Sequence, residues 1–329
     1  MSAIVIASAI VGGLAVAGTV GSFVGANTLY KKIIPRQDQC RVDVSEMADA
    51  KKWERYIEFI HENKDWLFKR EMEHITLKAR DGITLHGDYI KTDGDTDTIA
   101  VCVHGYTTTG MDACSSIATY FLKNGYDCLI MDNRAHGKSE GDYVGFGILD
   151  RYDLIKWLEY LNDRFEGKKN IILYGVSMGG STVLMTAGLE SFPKNVKAII
   201  AECAFTTPYD VFAHILKRDY HMAKFPIMNI NDRMCRKTAG YGFKDCSTLD
   251  TVKATSCPIL FVHGSEDDFV PTHMSHENYE ACTAPKELLI VENAGHAASY
   301  YESPELYQKT IEEFLGKYAP EILPERTSK

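Results

Sequence analysis

From Thr98 onward, short apolar runs alternate with helical patterns, and this alternation constrains the fold more than any other feature of the chain. The runs are Thr98–Val103, Tyr126–Met131, Asn170–Tyr174, Val196–Glu202, Pro258–Val262 and Glu287–Val291. Runs this short, apolar on both faces, suit strands covered by helices above and below. Between most of them lie the helical patterns Asp112–Leu122, Arg151–Asn162, Met178–Leu189 and Thr272–Ala281, and Glu305–Gly316 follows the last. Parallel strands need such crossovers, so the pattern predicts an α/β fold with a doubly wound, mostly parallel sheet. Upstream, His74–Lys78 and Ile83–Ile90 flank Asp81-Gly82, a hairpin signal that adds antiparallel strands at one edge.

One interval, from Glu202 to Pro258, is too long for a simple crossover. It holds helix-like pieces punctuated by Pro208, Pro226, Gly240 and Gly242, and reads as a small helical cap over residues 204–256. Its Phe205, Tyr209, Phe212 and Phe225 are candidates for lining a substrate pocket. The core then comprises 74–203 and 257–317, followed by a tail over 318–329. Residues 31–73 form a linker and helical lead-in, in which Trp53, Tyr56, Ile57, Ile60, Trp66 and Leu67 lie at mostly helical spacing for packing on the main domain.

The first 30 residues differ in texture. No charged side chain occurs from Met1 to Tyr30, and residues 3–24 are almost wholly apolar or small. As a helix that stretch measures about 33 Å, against a hydrocarbon core of about 30 Å. Residues 1–30 are therefore expected to be a single-pass membrane anchor. Lys31, Lys32 and Arg36 follow it, which places the remainder in the cytoplasm; a cleaved export signal is the alternative. Gly13, Ala17, Gly21 and Gly25 recur every four residues, a row that suits helix-mediated self-association. The nine cysteines are odd in number and contain no Cys-x-x-Cys pair, which suits buried thiols in a reducing compartment. A net charge of −9 without a basic cluster argues against nucleic-acid binding.

Chemistry concentrates in Ile171-Ile172-Leu173-Tyr174-Gly175-Val176-Ser177-Met178-Gly179-Gly180. A buried strand runs into Gly-x-Ser-x-Gly and a helix begins at once, the arrangement that displays a nucleophilic serine on a sharp turn. Its base is sought among eleven histidines. His104, His136 and His263 follow or end strands and suit loop-shaping; His273 and His276 have no third ligand for a metal. His296, in Asn293-Ala294-Gly295-His296-Ala297 after the last strand, would sit at the same sheet edge as Ser177. An orienting acid is offered by Glu266, Asp267 and Asp268, among which spacing alone does not choose.

These pieces together resemble the α/β-hydrolase superfamily, and most closely bacterial hydrolases of the serine aminopeptidase-like and monoacylglycerol-lipase-like branch, several of which carry an amino-terminal membrane segment. The matching motifs are His104-Gly105-Tyr106, Asp132-x-Arg134-x-His136-Gly137-x-Ser139-x-Gly141, Gly175-Val176-Ser177-Met178-Gly179-Gly180, His263-Gly264-x-x-Asp267-x-x-Val270-Pro271 and Gly295-His296, within roughly residues 74 to 317. The resemblance implies Ser177, Asp267 and His296 as the triad, in the order Ser–acid–His. It also implies an oxyanion hole from the backbone N–H groups of Tyr106 and Met178, with Tyr106 lining the acyl pocket. Glu202 stands where similar proteins often have Asp. The implied activity is hydrolysis of an acyl ester through an acyl-enzyme, with no metal or organic cofactor. Peptidase or amidase, thioesterase or acyltransferase action uses the same residues, and a silent, membrane-tethered binding protein is the competing reading from another class.

Overall fold

The structure is a computed structural model that describes residues 23–37 and 53–324. Its centre is one eight-stranded sheet: β1 (Met72–Lys78), β2 (Thr84–Ile90), β3 (Thr98–Val103), β4 (Asp127–Asp132), β5 (Asn170–Val176), β6 (Val196–Glu202), β7 (Ile259–Gly264) and β8 (Lys286–Val291). The strand order is β1-β2-β4-β3-β5-β6-β7-β8. β1 and β2 form the expected hairpin, β2 runs antiparallel to β4, and every later pairing is parallel.

Helix α1 spans residues 23–33. It is followed by α2 (Ile57–Phe68), α3 (Gly110–Lys123), α4 (Asp150–Arg164), α5 (Met178–Ala187), α6 (Pro208–Tyr220), α7 (Ile227–Thr238), α8 (Thr248–Ala254), α9 (His273–Ala281), α10 (Ser299–Glu302) and α11 (Pro304–Tyr318). Period-two alternation along the strands divides the core between the two faces. Along β3, Ala100 and Cys102 join Leu67, Phe121 and Phe314 on one side. Ile99, Val101 and Val103 join Trp157, Leu158 and Leu184 on the other. All eight cysteines among the described residues are buried and unpaired.

Two boundaries differ from the sequence reading. Val252 of α8 is buried in the core layer with Val183 and Leu184, and Thr251 lies against Gly188. That helix therefore packs in the core layer against the sheet, although it falls within residues 204–256 of the expected cap. The expected anchor falls largely outside the described residues, and no described helix is long and apolar enough to cross a membrane. Its last part, residues 23–30, belongs to α1, whose Ala26, Leu29 and Tyr30 are buried against Phe212, Leu216 and Ile227 of the cap. A Cβ on Gly25, the described member of the small-residue row, would lie 3.4 Å from Met222 Cε and 3.9 Å from Ile227 Cδ1 of the same chain. Of the three basic residues flanking the span, Arg36 is taken up in the fold, donating to the carbonyls of Ser139 (2.5 Å) and Gly137 (2.7 Å).

Candidate active site

The turn after β5 carries Ser177 at φ 56°, a left-handed conformation that a non-glycine residue adopts only where its surroundings impose it. Two glycines make the turn possible. A Cβ on Gly179 would lie 2.0 Å from the Val103 carbonyl oxygen, and one on Gly175 would lie 2.3 Å from the Gly179 oxygen. The Ser177 N–H donates to the Glu202 carbonyl at 2.8 Å, which pins the turn to β6. Helix α5 starts at the next residue, so its amino terminus lies beneath the serine.

His296 arrives from the loop after β8. Its Nε2 lies 2.9 Å from Ser177 Oγ and its Nδ1 lies 2.7 Å from Asp267 Oδ2. Of the three acids after β7, Asp267 alone is buried; Glu266 and Asp268 are exposed. Asp267 Oδ1 accepts the N–H groups of Phe269 (3.0 Å) and Val270 (2.9 Å), and His263 Nε2 lies 3.1 Å from Oδ2. Burial works to raise the Asp267 pKa, but His296 and His263 outweigh it and hold the carboxyl well below its ordinary value. Burial likewise works against a charged His296, and the neighbouring Asp267 carboxylate reverses the sign, raising the imidazole well above its ordinary value.

The remaining motif residues brace this edge. Arg134 makes a buried bidentate pair with Asp153 of α4 (2.6 and 2.7 Å) and reaches Asp81 of the hairpin turn at 2.9 Å. Asp132 accepts the N–H groups of Gly110 and Lys138. Ser139 Oγ donates to the Asp132 carbonyl and accepts the His86 N–H. His104 and His136, pushed down by burial to about 4 and about 3, are neutral, and each ring accepts a backbone N–H, from Asn133 and Thr107 respectively. The 104–107 turn passes so close to Ser177 that a Cβ on Gly105 would lie 3.3 Å from the serine Cβ. That brings Tyr106 and Met178 together around Ser177, and both line the same cavity.

The cavity has a volume of about 310 Å³ and a mostly apolar wall, within the range of about 300–1,000 Å³ usual for small-molecule sites. Phe205 and Phe212 line it, as the sequence suggested. Two other candidates do not. Tyr209 lies under Lys244, whose Nζ is 3.8 Å from its ring centroid. Phe225, 71% exposed, sits on the turn between α6 and α7, where it points to solvent instead of the cavity. Two features escaped sequence reasoning, and the role of a third residue, Glu202, became apparent only in the structure. Leu29, Lys32 and Ile33 of α1 form part of the cavity wall. Cys203 Sγ lies within 4.8 Å of a carboxylate oxygen of Asp267 and a ring nitrogen of His296. Glu202 accepts Tyr174 and Tyr307 hydroxyls (3.0 and 2.9 Å) and the Ser299 N–H (3.1 Å), tying the segment after His296 to β6. Glu202 was visible as a departure from the motif; the other two carry no local signal.

Residues 100–227 match the family model described as the alpha/beta hydrolase fold. The uncharacterized protein YqkD of Bacillus subtilis is 31% identical over 234 residues, which is 71% of this chain and 76% of that protein. The lysophosphatidylserine lipase ABHD12 of Rattus norvegicus is 25% identical over 68% of this chain and 57% of its own length. Among solved structures, the Pyrococcus furiosus esterase Pf2001 superposes with a TM-score of 0.62 at 21% identity, covering 76% of this chain and 92% of that one.

Proposed function

This chain belongs to the α/β-hydrolase family, and we propose that within it the protein is a serine hydrolase of carboxylic esters, acting through Ser177, His296 and Asp267. The observation that carries this reading is the unbroken chain of hydrogen-bond contacts from Ser177 Oγ through His296 to buried Asp267, at the floor of an apolar cavity. His296 Nε2 takes the Ser177 proton as Oγ attacks the acyl carbonyl. The negative charge on the carbonyl oxygen is received by the N–H groups of Met178 and Tyr106, and Asp267 stabilises the imidazolium. His296 then gives its proton to the departing alkoxide. A water, deprotonated by the same imidazole, cleaves the acyl-enzyme and restores the Ser177 hydroxyl.

A fluorophosphonate probe should label wild-type protein at Ser177 and leave Ser177→Ala unlabelled. A panel of esters, thioesters and aminoacyl amides of graded length should then rank esters first by kcat/KM. Labelling elsewhere, or faster turnover of amides, overturns the reading. The uncharged sequence from residue 3 to 24 supports a further part of the proposal: a single membrane span with the catalytic domain on the cytoplasmic side. Protease added outside intact cells should leave the catalytic domain uncut.

A further inference from the structure

The hairpin edge of the sheet carries a cluster of ligating side chains that the proposed hydrolysis does not use. β1 and β2 pair with His74 directly opposite Asp88, and β2 and β4 pair with His86 directly opposite Asp132. Alternation along β2 sends Leu85 and Tyr89 into the core layer that holds Trp157 of α4, so His86 and Asp88 share the other face with His74. One ring nitrogen from each histidine and one Asp88 carboxylate oxygen lie within 4.8 Å of one another.

Two features mark a ligand set instead of an ordinary ion pair. Asp88 is buried, and among the described residues no Lys or Arg pairs with it; its partners are His74 Nδ1 at 2.5 Å and His86 Nε2 at 3.8 Å. The His86 side chain is only 10% exposed, yet neither ring nitrogen has a hydrogen-bond partner among the described residues: Nε2 is 3.8 Å from Asp88 Oδ1 and Nδ1 is 3.9 Å from Asp132 Oδ2. A buried polar ring without a partner is costly, and a bound cation would remove that cost. Charge points the same way. With both imidazoles neutral, the charges bearing on His86 are the carboxylates of Asp88 and Asp132 against the ammonium of exposed Lys138, an excess of one negative charge.

Two imidazoles and one carboxylate suit Zn²⁺ and its transition-metal neighbours, whereas Mg²⁺ and Ca²⁺ select oxygen donors. Zinc bonds of about 2.0–2.1 Å in a tetrahedron separate neighbouring donor atoms by about 3.3 Å. The His74–Asp88 contact must then open by about 0.8 Å and the His86–Asp88 contact close by about 0.5 Å, shifts that side-chain torsions supply, His74 being 62% exposed. We infer that His74 Nδ1, His86 Nε2 and Asp88 hold a divalent cation of the Zn²⁺ class, with water completing its coordination. The neutral His74 ring then carries its proton on Nε2. His86 keeps its proton on Nδ1, turned toward Asp132 Oδ2 as the orienting carboxylate. The ion clamps β1 to β2 and takes no part in the chemistry proposed for Ser177.

The test titrates the full chain, in detergent micelles and a non-chelating buffer, with Zn²⁺ in competition with the chromophoric chelator zincon. Wild type should take up one equivalent. His74→Ala, which removes a largely exposed side chain and leaves the core untouched, should weaken that binding by at least about tenfold, the loss that even an outer partner of a ligand causes. Asp88→Asn, of the same shape, should do likewise. X-ray absorption at the zinc edge should show nitrogen and oxygen neighbours, two imidazoles among them, and no sulfur. At a hundredfold excess over Kd, Zn²⁺ should raise the wild-type Tm by about 3 °C or more and leave that of His74→Ala unmoved. Failure of wild type to take up Zn²⁺ overturns the site, as does equal affinity in wild type and His74→Ala. A sulfur neighbour also overturns it, because the ion would then sit on a cysteine.

Discussion

The wall of the cavity that carries Ser177, Asp267 and His296 and the wall that faces it are held by different forces. The first, proposed catalytic wall is built at the carboxyl ends of β3, β5, β7 and β8, where backbone and buried side-chain hydrogen bonds fix each loop: Ser177 to Glu202, Asp267 to Phe269 and Val270, and Thr107 to His136. The opposite wall is built from α1 and the cap by apolar packing, with Phe146 edge-on to Phe212 at 4.8 Å and Phe212 edge-on to Phe243 at 5.2 Å. Hydrogen bonds impose direction and tolerate little displacement, whereas dispersion and burial reward volume. The catalytic wall should therefore respond to mutation with loss of rate, and the facing wall with a change of preference.

Substitutions in the catalytic wall give the largest expected effects. Ser177→Ala and His296→Ala should each lower kcat by about 10⁶-fold with the fold intact, and Asp267→Asn by about 10⁴-fold. Asp268→Asn and Glu266→Gln should be nearly silent, because both side chains are exposed. A pre-steady-state ester assay checks all five; a damaging Asp268→Asn beside a harmless Asp267→Asn would reassign the acid.

The pH profile sharpens the same wall. His296 must be neutral to accept a proton, and its pKa is raised by Asp267. Activity should therefore be absent at low pH and rise through one ionisation above the ordinary histidine value of about 6.5. In Asp267→Asn the residual activity should rise at lower pH, since the carboxylate that holds the proton is gone. A profile flat across this range under chemistry-limited conditions would remove His296 as the base.

Arg134→Ala separates support from chemistry. It leaves Asp153 buried without its partner, and should cost about 3–5 kcal/mol in denaturant unfolding, while activity per folded molecule changes little.

The smallest effects should come from the facing wall. Ile33→Ala should shift kcat/KM toward longer acyl chains and Ile33→Phe toward shorter ones, by about 1–3 kcal/mol per methylene accommodated. Removing residues 1–35 is expected to alter the acyl-chain profile as well. The Tyr106 hydroxyl donates to the carbonyls of Ile33 (3.0 Å) and Lys32 (3.3 Å), so α1 steadies the turn beside Ser177. A truncated chain with an unchanged profile would show that the catalytic wall alone sets preference.

The chain's order of strands and helices, the Ser177 turn and the placement of His296 at the same sheet edge were legible in the sequence because each rests on local patterns. Strand and helix periods are written in consecutive residues, and Gly-x-Ser-x-Gly between a strand and a helix is a short-range steric demand. Asp267 was narrowed to three neighbouring acids, and only the fold, which turns one inward against His296 and leaves two in solvent, separates them by geometry. The fate of residues 23–37 was not legible. Their uncharged, apolar character reads equally as the end of a membrane span or as a helix buried against a cap, since both environments select the same side chains. Phe225 was misplaced for the converse reason, because an aromatic in a cap sequence carries no mark of which way it points. What covers the active site is decided by contacts between segments some two hundred residues apart in the chain, such as Tyr30 with Thr238. Such contacts leave no period and no motif, so tertiary structure alone assigns them.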